Sequence, residues 1–368
     1  MRVLILTNIP SPYRVDFFNL LGREVNLTVL YERRYAADRD RNWLEKDAQT
    51  FNEIYLSGVK VGADASAGIE WLKYISKRDY DILGILGYSS PTSILAITYC
   101  RLMKIPYFLS SDGAFVKPDH FWRDKLKRFL IGGAQAWLCT GRHTSEYLRN
   151  YGARPERTFI FPFSSVKVTD IRQNRATEME KEELKNEISI TEEKIVLAIG
   201  QFINRKGFDV LLKAGQFVES GVGIYIVGGD PIPDYLRLKK DLMLEHVHFI
   251  RFMDAEELAK YYQAADVFVL PTREDVWGLV INEAMAYGLP VITTDRCGAG
   301  IELIENGVNG YIVPLDDEKA LAAAINKVLD DDELRGSMAA ANITKIQKYT
   351  LETMAERHLE IFNKILVS

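Results

Sequence analysis

The chain has 368 residues, 47% of them hydrophobic and 26% charged, enough ordinary globular material for two domains with a core each. It lacks any uninterrupted apolar stretch of the roughly 18 residues that a membrane span needs, and its start, MRVLILTNIPSP, shows no signal-peptide cleavage pattern. The net charge of −5 is uneven: 23 Lys and Arg stand against 17 Asp and Glu through residue 165, and 23 against 34 beyond it, so the first half is the part expected to meet an anionic surface.

Short apolar runs rich in β-branched residues alternate with longer amphipathic segments, which predicts an α/β chain with parallel sheets. In the first half the strands are RVLILT, NLTVLY, FNEIY, DILGIL, PYFLS, AWLCT and TFIFP, with helices over YRVDFFNLLG, AGIEWLKYISKR, TSILAITYCRLMK and HTSEYLRNYG. The turn after the first strand runs Asn8, Ile9, Pro10, Ser11, Pro12, Tyr13, Arg14, a connection stiffened by two prolines. After PYFLS come Ser110, Ser111, Asp112 and Gly113, which read either as a simple Asp-Gly turn or as a carboxylate placed at a strand end. A basic helix over 119–131 interleaves Arg123, Lys125, Lys127 and Arg128 with Phe121, Trp122, Leu126, Phe129 and Leu130. Such a helix either lies on a membrane surface or packs its apolar face inward with the basic face in water.

From Ser164 to about Thr191 the chain turns polar and highly charged, and reads as a linker plus a solvated helix. A second alternation begins at KIVLAIG, so a domain over 1–165 is followed by one over 166–345, and a last helix over 346–368 is free to cross back to the first. The turn after its first strand carries Arg205 and Lys206 just before a helix, where a guanidinium fork and a compact ammonium suit phosphate oxygens. Further on, ADVFVLP ends at Pro271, Glu274 and Asp275 follow, Gly278 opens a helix, and Glu283 lies eight residues after Asp275. Strand, glycine turn and helix start make an anion site, because unpaired amides point at the ligand. Carboxylates beside it suit sugar hydroxyls.

Other signals are set aside. Asp38-Arg39-Asp40 has a D-x-D form but sits in a charge-alternating stretch that reads as a solvated loop. Asp330, Asp331 and Asp332 start the next helix, His246 and His248 have no third metal ligand nearby, and Gly84 to Gly87 is too isolated for a phosphate loop. Cys100, Cys139 and Cys297 form no CxxC pair and read as buried thiols of a reducing, cytoplasmic compartment.

The order and spacing of GQFINRKGFDVLLKA, IVGGDP, VHFIRFMDAEELAKYYQAADVFVLPTREDVWGLVINEAMAYGLPVI and GAGIELIENGVNGYIV resemble the donor-binding half of the family 4 glycosyltransferases, over about residues 195–320. These are retaining enzymes of the GT-B architecture, so the resemblance implies two Rossmann-like domains with parallel sheets facing across a cleft. It implies that Glu283 holds the ribose, that the amides of Gly278, Leu279 and Val280 meet the diphosphate with Arg205 and Lys206, and that Phe252 and Met253 border the base. The first family glutamate falls on Asp275, a departure, and either Asp275 or Glu274 holds the donor sugar. Gln201 stands where many members carry an arginine, which leaves that guanidinium to Arg205. In the first half, Asn8, Pro10, Ser11, Tyr13 and Arg14 are implied to face the diphosphate and the acceptor. Ser111 and Asp112 lie on the acceptor side, with Asp112 orienting the acceptor or taking its proton.

The function implied is transfer of a sugar from a UDP- or GDP-linked donor to a hydroxyl of a sugar, lipid-linked or other acceptor, with retention and without metal or other cofactor. Arg205, Lys206, Asp275 and Asp112 carry it, in synthesis of cell-surface polysaccharide or glycolipid. The setting is cytoplasmic, with peripheral contact at the inner membrane face through the 119–131 helix, and no nucleic acid. Two other readings stay open: a nucleotide-sugar epimerase or hydrolase of the same fold, and a non-catalytic nucleotide-sugar-binding subunit.

Overall fold

A computed structural model of the protein describes residues 1–35, 46–62 and 65–367. The apolar runs of the first half become β1 (Arg2–Thr7), β2 (Asn26–Tyr31), β3 (Asn52–Tyr55), β4 (Val59–Val61), β5 (Ala65–Ala67), β6 (Ile82–Leu86), β7 (Phe108–Ser111), β8 (Ala136–Cys139) and β9 (Thr158–Ile160). Seven of them form one parallel sheet in the order β3-β2-β1-β6-β7-β8-β9, and β4 with β5 makes a small antiparallel pair. The register sets Leu4 beside Thr28 and Leu83, so β1 lies between β2 and β6. Parallel neighbours need crossovers that cover both sheet faces, which is why β1, β6 and β8 are nearly continuous runs of buried apolar residues. The crossovers include α1 (Pro12–Leu21), α2 (Leu72–Ile75), α3 (Pro91–Leu102), α4 (Phe121–Ile131) and α5 (Arg142–Asn150). Pro12 and Pro91 sit in first helical turns, where a missing N–H costs nothing, and Ser90 caps α3 by accepting from the Ser93 amide at 3.0 Å. Of the helix expected over AGIEWLKYISKR, only Leu72–Ile75 is helical.

The second half holds α6 (Glu178–Glu187), β10 (Lys194–Ile199), α7 (Phe208–Ala214), β11 (Val222–Val227), α8 (Pro233–Asp241), β12 (Val247–Ile250) and α9 (Ala255–Ala264). It continues with β13 (Val267–Leu270), α10 (Leu279–Ala286), β14 (Val291–Thr294), α11 (Gly298–Leu303), β15 (Gly310–Val313), α12 (Glu318–Leu329) and α13 (Asp332–Ile346). Its six strands run parallel in the order β12-β11-β10-β13-β14-β15. One core spans this sheet and the helices on it, from Val196, Phe208 and Ile224 to Val267, Ile325 and Met338. Asp331 caps α13 by accepting from the Leu334 amide at 2.8 Å, which accounts for the aspartate run before it.

The chain divides into two units, Met1–Ser165 with Thr350–Ser368, and Val166–Tyr349. The break placed by sequence at 345/346 falls at the end of α13; the helix that joins the first unit is α14 (Leu351–Val367), packed along α1. His358 of α14 is buried against the rings of Phe17 and Phe161, with centroids 4.7 and 4.5 Å away.

Helix α6 differs from expectation in the face it buries. The highly charged α6 is not merely solvated: it packs on α9 and buries Lys181 and Lys185. The Lys181 ammonium pairs with Asp266, which also accepts the Ile195 amide at 2.9 Å, and Lys185 reaches the Glu193 carbonyl at 2.7 Å. Long lysine stems cover apolar surface while their heads reach polar partners. On α4, by contrast, only Leu130 and Ile131 are buried. Phe121, Trp122, Leu126 and Phe129 are 62%, 77%, 48% and 39% exposed, so the apolar stripe does not pack inward. Lys127 takes the inner position instead, 2.6 Å from Asp119 and over the rings of Tyr147 and Tyr151.

Candidate functional site

In both sheets the strand order reverses beside the first strand, between β1 and β6 and between β10 and β13. Connections leave such a point to opposite faces and open a crevice at the carboxyl ends of the strands. In the second unit the two loops at that point are the turn 200–207 after β10 and the loop 271–278 after β13. They lie directly against each other. Gly207 has φ +70°, and a Cβ there would stand 2.0 Å from the Pro271 carbonyl oxygen, so no other residue permits the approach. Thr272 Oγ1 and the Arg273 amide both donate to the Arg205 carbonyl, at 2.9 and 2.8 Å.

This places the expected charges together. Lys206 Nζ lies 2.6 Å from Asp275 Oδ2, and both side chains are mostly buried. Half-exposed Arg205 donates from Nη1 to the Glu274 carbonyl at 2.6 Å and stands 3.9 Å from Asp275 Oδ1. Asp275 is also fixed by its backbone, the amide donating to the Arg296 carbonyl and the carbonyl accepting from the Gly298 amide. Gly278 then enters α10 at φ +94°, with Cys297 Sγ 2.8 Å from where a Cβ would be. The result is a cationic pair and a helix start whose first amides, at Leu279 and Val280, are not capped by the residue before them. Chemically this arrangement is suited to an anion, with one carboxylate already holding the ammonium in place.

Glu283 lies on α10, and its Oε2 accepts the Tyr262 hydroxyl at 2.9 Å. Tyr262 is buried and stacked on Tyr287, with ring centroids 5.1 Å apart, and burial together with the Glu283 charge pushes its hydroxyl well above the ordinary tyrosine range. Gln201 sits in the turn after β10, its carbonyl accepting the Ile203 amide at 2.8 Å. Phe252 and Met253 are on the loop after β12, at the edge of the sheet two strands from β10, with Phe252 half-exposed.

The first unit builds a second cluster on the ends of β1 and β7. Arg14 in the first turn of α1 is largely buried and donates from Nη1 to Asn8 Oδ1 at 2.6 Å and to Thr7 Oγ1 at 3.2 Å, while Nη2 stands 3.5 Å from Asp112 Oδ2. Asp112 follows β7, and its carbonyl accepts the hydroxyls of Thr140 and Thr144. Ser111 Oγ accepts the Gly113 amide at 3.1 Å, so the Asp-Gly turn and the ion pair are both present. Pro10 and Ser11 form the buried turn into α1, and Tyr13 meets Phe163 edge-on at 5.5 Å.

Three side chains that the sequence did not single out shape these sites. Arg273 lies inside PTREDVWG, a segment read only for its carboxylates, yet it donates to Asp209, Asp316 and Asn204. Tyr262 has no spacing that would link it to Glu283. Trp277 gives its indole N–H to Asn282 at 2.9 Å, bracing the start of α10. The two histidines set aside have separate partners: His248 lies 2.5 Å from Glu192 and stacks on Tyr225, and His246 lies 3.2 Å from the Gly215 carbonyl. Among the described residues no group of three or more His, Cys, Asp or Glu is arranged for a metal ion. Among the described residues no helix is long and apolar enough to cross a membrane. Asp38 and Asp40 lie outside the described residues. The three cysteines are buried and unbridged.

Residues 180–345 match the family model of glycosyl transferases group 1. Spore coat protein SA of Bacillus subtilis is 28% identical over 226 residues, covering 58% of this chain and 60% of that one. The N,N'-diacetylbacillosaminyl-diphospho-undecaprenol alpha-1,3-N-acetylgalactosaminyltransferase of Campylobacter jejuni is 22% identical over 80% of each chain. In structure, Anabaena Alr3699/HepE in complex with UDP superposes with a TM-score of 0.79 at 17% identity, covering 99% of this chain and 100% of that one. Residues 180–345 are thus similar to glycosyl transferases group 1, and the chain has the GT-B fold of two parallel-sheet α/β units.

Proposed function

We propose that the protein transfers a sugar from a nucleoside-diphosphate sugar to an acceptor hydroxyl, with retention at the anomeric carbon. The observation that carries this reading is the Arg205–Lys206 turn locked against the Asp275 loop and the start of α10. The relative in Anabaena, crystallised with UDP, supports a uridine nucleotide as the first donor to try. In the reaction the bond from the anomeric carbon to the diphosphate oxygen breaks, and its electron pair leaves with the nucleoside diphosphate. Arg205, Lys206 and the amides of Leu279 and Val280 stabilise that growing charge. The acceptor oxygen bonds to the same face of the sugar. Its proton passes to the departing phosphate oxygen or to Asp112, whose carboxyl stands 3.5 Å from Arg14.

Glu283, oriented by Tyr262, takes the ribose hydroxyls. Asp275 has a defined task as the counter-ion of Lys206, which favours Glu274 for the donor sugar. The reaction is read as independent of metal, since two cations and a helix start already face the diphosphate. The acceptor is read as lipid-linked, met at the inner membrane face by the exposed stripe of α4, with the protein otherwise cytoplasmic. A thermal-shift screen against UDP- and GDP-sugars tests the donor assignment: one nucleotide sugar stabilises the protein selectively. Equal or absent response to all of them contradicts it.

A further inference from the structure

The side chain of Arg273 binds residues on either side of the cationic pair, in the turn that carries it and in the helix that follows. Nη1 and Nη2 grip Asp209 of α7 as a fork, at 2.9 and 2.7 Å. Nη1 also reaches the carbonyl and the side-chain oxygen of Asn204, at 2.9 and 2.7 Å, and Nε binds Asp316 at 2.7 Å. Asp316 follows β15 and has φ +56°, the left-handed region that aspartate enters more readily than most non-glycine residues. The amide of Arg273 meanwhile holds the Arg205 carbonyl, and Arg205 returns a bond to the carbonyl of Glu274. One guanidinium therefore joins the residue before the cations, the helix after them and a third loop. Every one of its nitrogens is engaged within the protein.

We propose that Arg273 is a positioning residue for the diphosphate site: it sets the 204–207 turn so that Arg205 and Lys206 converge on the second phosphate of the donor. The assignment rests on the donor reading above. A lysine cannot replace it, since an ammonium offers donors from one point and cannot span Asp209, Asn204 and Asp316 together.

The test compares the affinities of UDP and UMP (or GDP and GMP, whichever pair the wild-type protein binds) by calorimetry. In Arg273→Lys the monophosphate binds as in wild type, while the preference for the diphosphate falls by roughly tenfold or more, as expected when charge-assisted bonds to one phosphate are misaligned. Asp209→Asn loosens the same grip from its other end and gives the same selective loss. General damage to the fold lowers both affinities together and overturns the proposal, as does a retained diphosphate preference in both variants. A wild-type protein with no preference for the diphosphate overturns the donor reading itself, and this assignment with it.

Discussion

The outward stripe of α4 makes a quantitative prediction about membranes. Burying a large apolar side chain fully is worth about 1.5–3 kcal/mol. Trp122 has three quarters of its surface still in water, so its insertion into the boundary between headgroups and acyl chains gains about 1–2 kcal/mol. Trp122→Ala therefore weakens binding to vesicles by roughly 5- to 30-fold, taking 1.4 kcal/mol per factor of ten. The stripe carries Lys125 between Phe121 and Phe129, and exposed Arg123 lies beside it. Each basic residue at an anionic surface adds about 1 kcal/mol. Replacing both by glutamine thus costs about another factor of 30, and salt screens that part but not the part due to Trp122. Co-sedimentation with vesicles of phosphatidylglycerol and phosphatidylcholine, at low and high salt, measures both. Wild type pellets with the anionic vesicles, and each variant moves to the supernatant by the stated factor. Equal pelleting of wild type and Trp122→Ala refutes the reasoning. So does a concentration-dependent dimer, seen by light scattering, that the same substitution disrupts.

Removing the Tyr262 hydroxyl leaves Glu283 without one of its partners, so Tyr262→Phe raises the KM for the donor by roughly tenfold while kcat holds; an unchanged KM contradicts the role given to the pair. Asp266→Ala leaves Lys181 buried without its carboxylate and costs about 3–5 kcal/mol in urea unfolding, most of which returns in the double variant with Lys181→Met. A single variant as stable as wild type excludes that account. Burial lowers His358 from the ordinary value of 6.5 to about 4, so the folded protein keeps it neutral while the unfolded chain takes up a proton first. Its contribution is complete above pH 6.5 and declines as the pH falls toward 4, by about 3 kcal/mol in all. His358→Leu flattens that part of the profile, and parallel profiles for the two proteins argue against it.

The parts legible in the sequence were those set by local chemistry. Alternating apolar runs and helices predicted both parallel sheets, and Gly278 and the Arg205–Lys206 pair marked the turns at the switch point, because a turn writes its geometry into the residues that form it. The carboxylates at 274 and 275 were also visible, but not their difference. Only packing shows that Asp275 faces Lys206 and that Glu274 offers its carbonyl to Arg205. Helix faces were the least legible. On α6 the buried positions are lysines, and the ionic partner of Lys181, Asp266, lies 85 residues away. On α4 the apolar stripe is real but turned outward, because Lys127 and its aromatic partners occupy the inner face. Periodicity finds a stripe and says nothing about what covers it. Arg273 was hidden for a related reason: its partners come from three distant segments brought together by the sheet.

The reaction proposed here turns on Arg205 and Lys206 stabilising a departing nucleoside diphosphate. Its direct test is the rate of nucleoside diphosphate release from the preferred nucleotide sugar, with glycoside formation followed in parallel, in wild type and in Lys206→Ala at matched thermal stability. One glycoside is expected for each nucleoside diphosphate released, with a fall in kcat of roughly 10²–10³ in the variant, the usual cost of losing one group that stabilises transition-state charge. Unchanged turnover in Lys206→Ala, or conversion of the nucleotide sugar to an epimer without any acceptor, contradicts it.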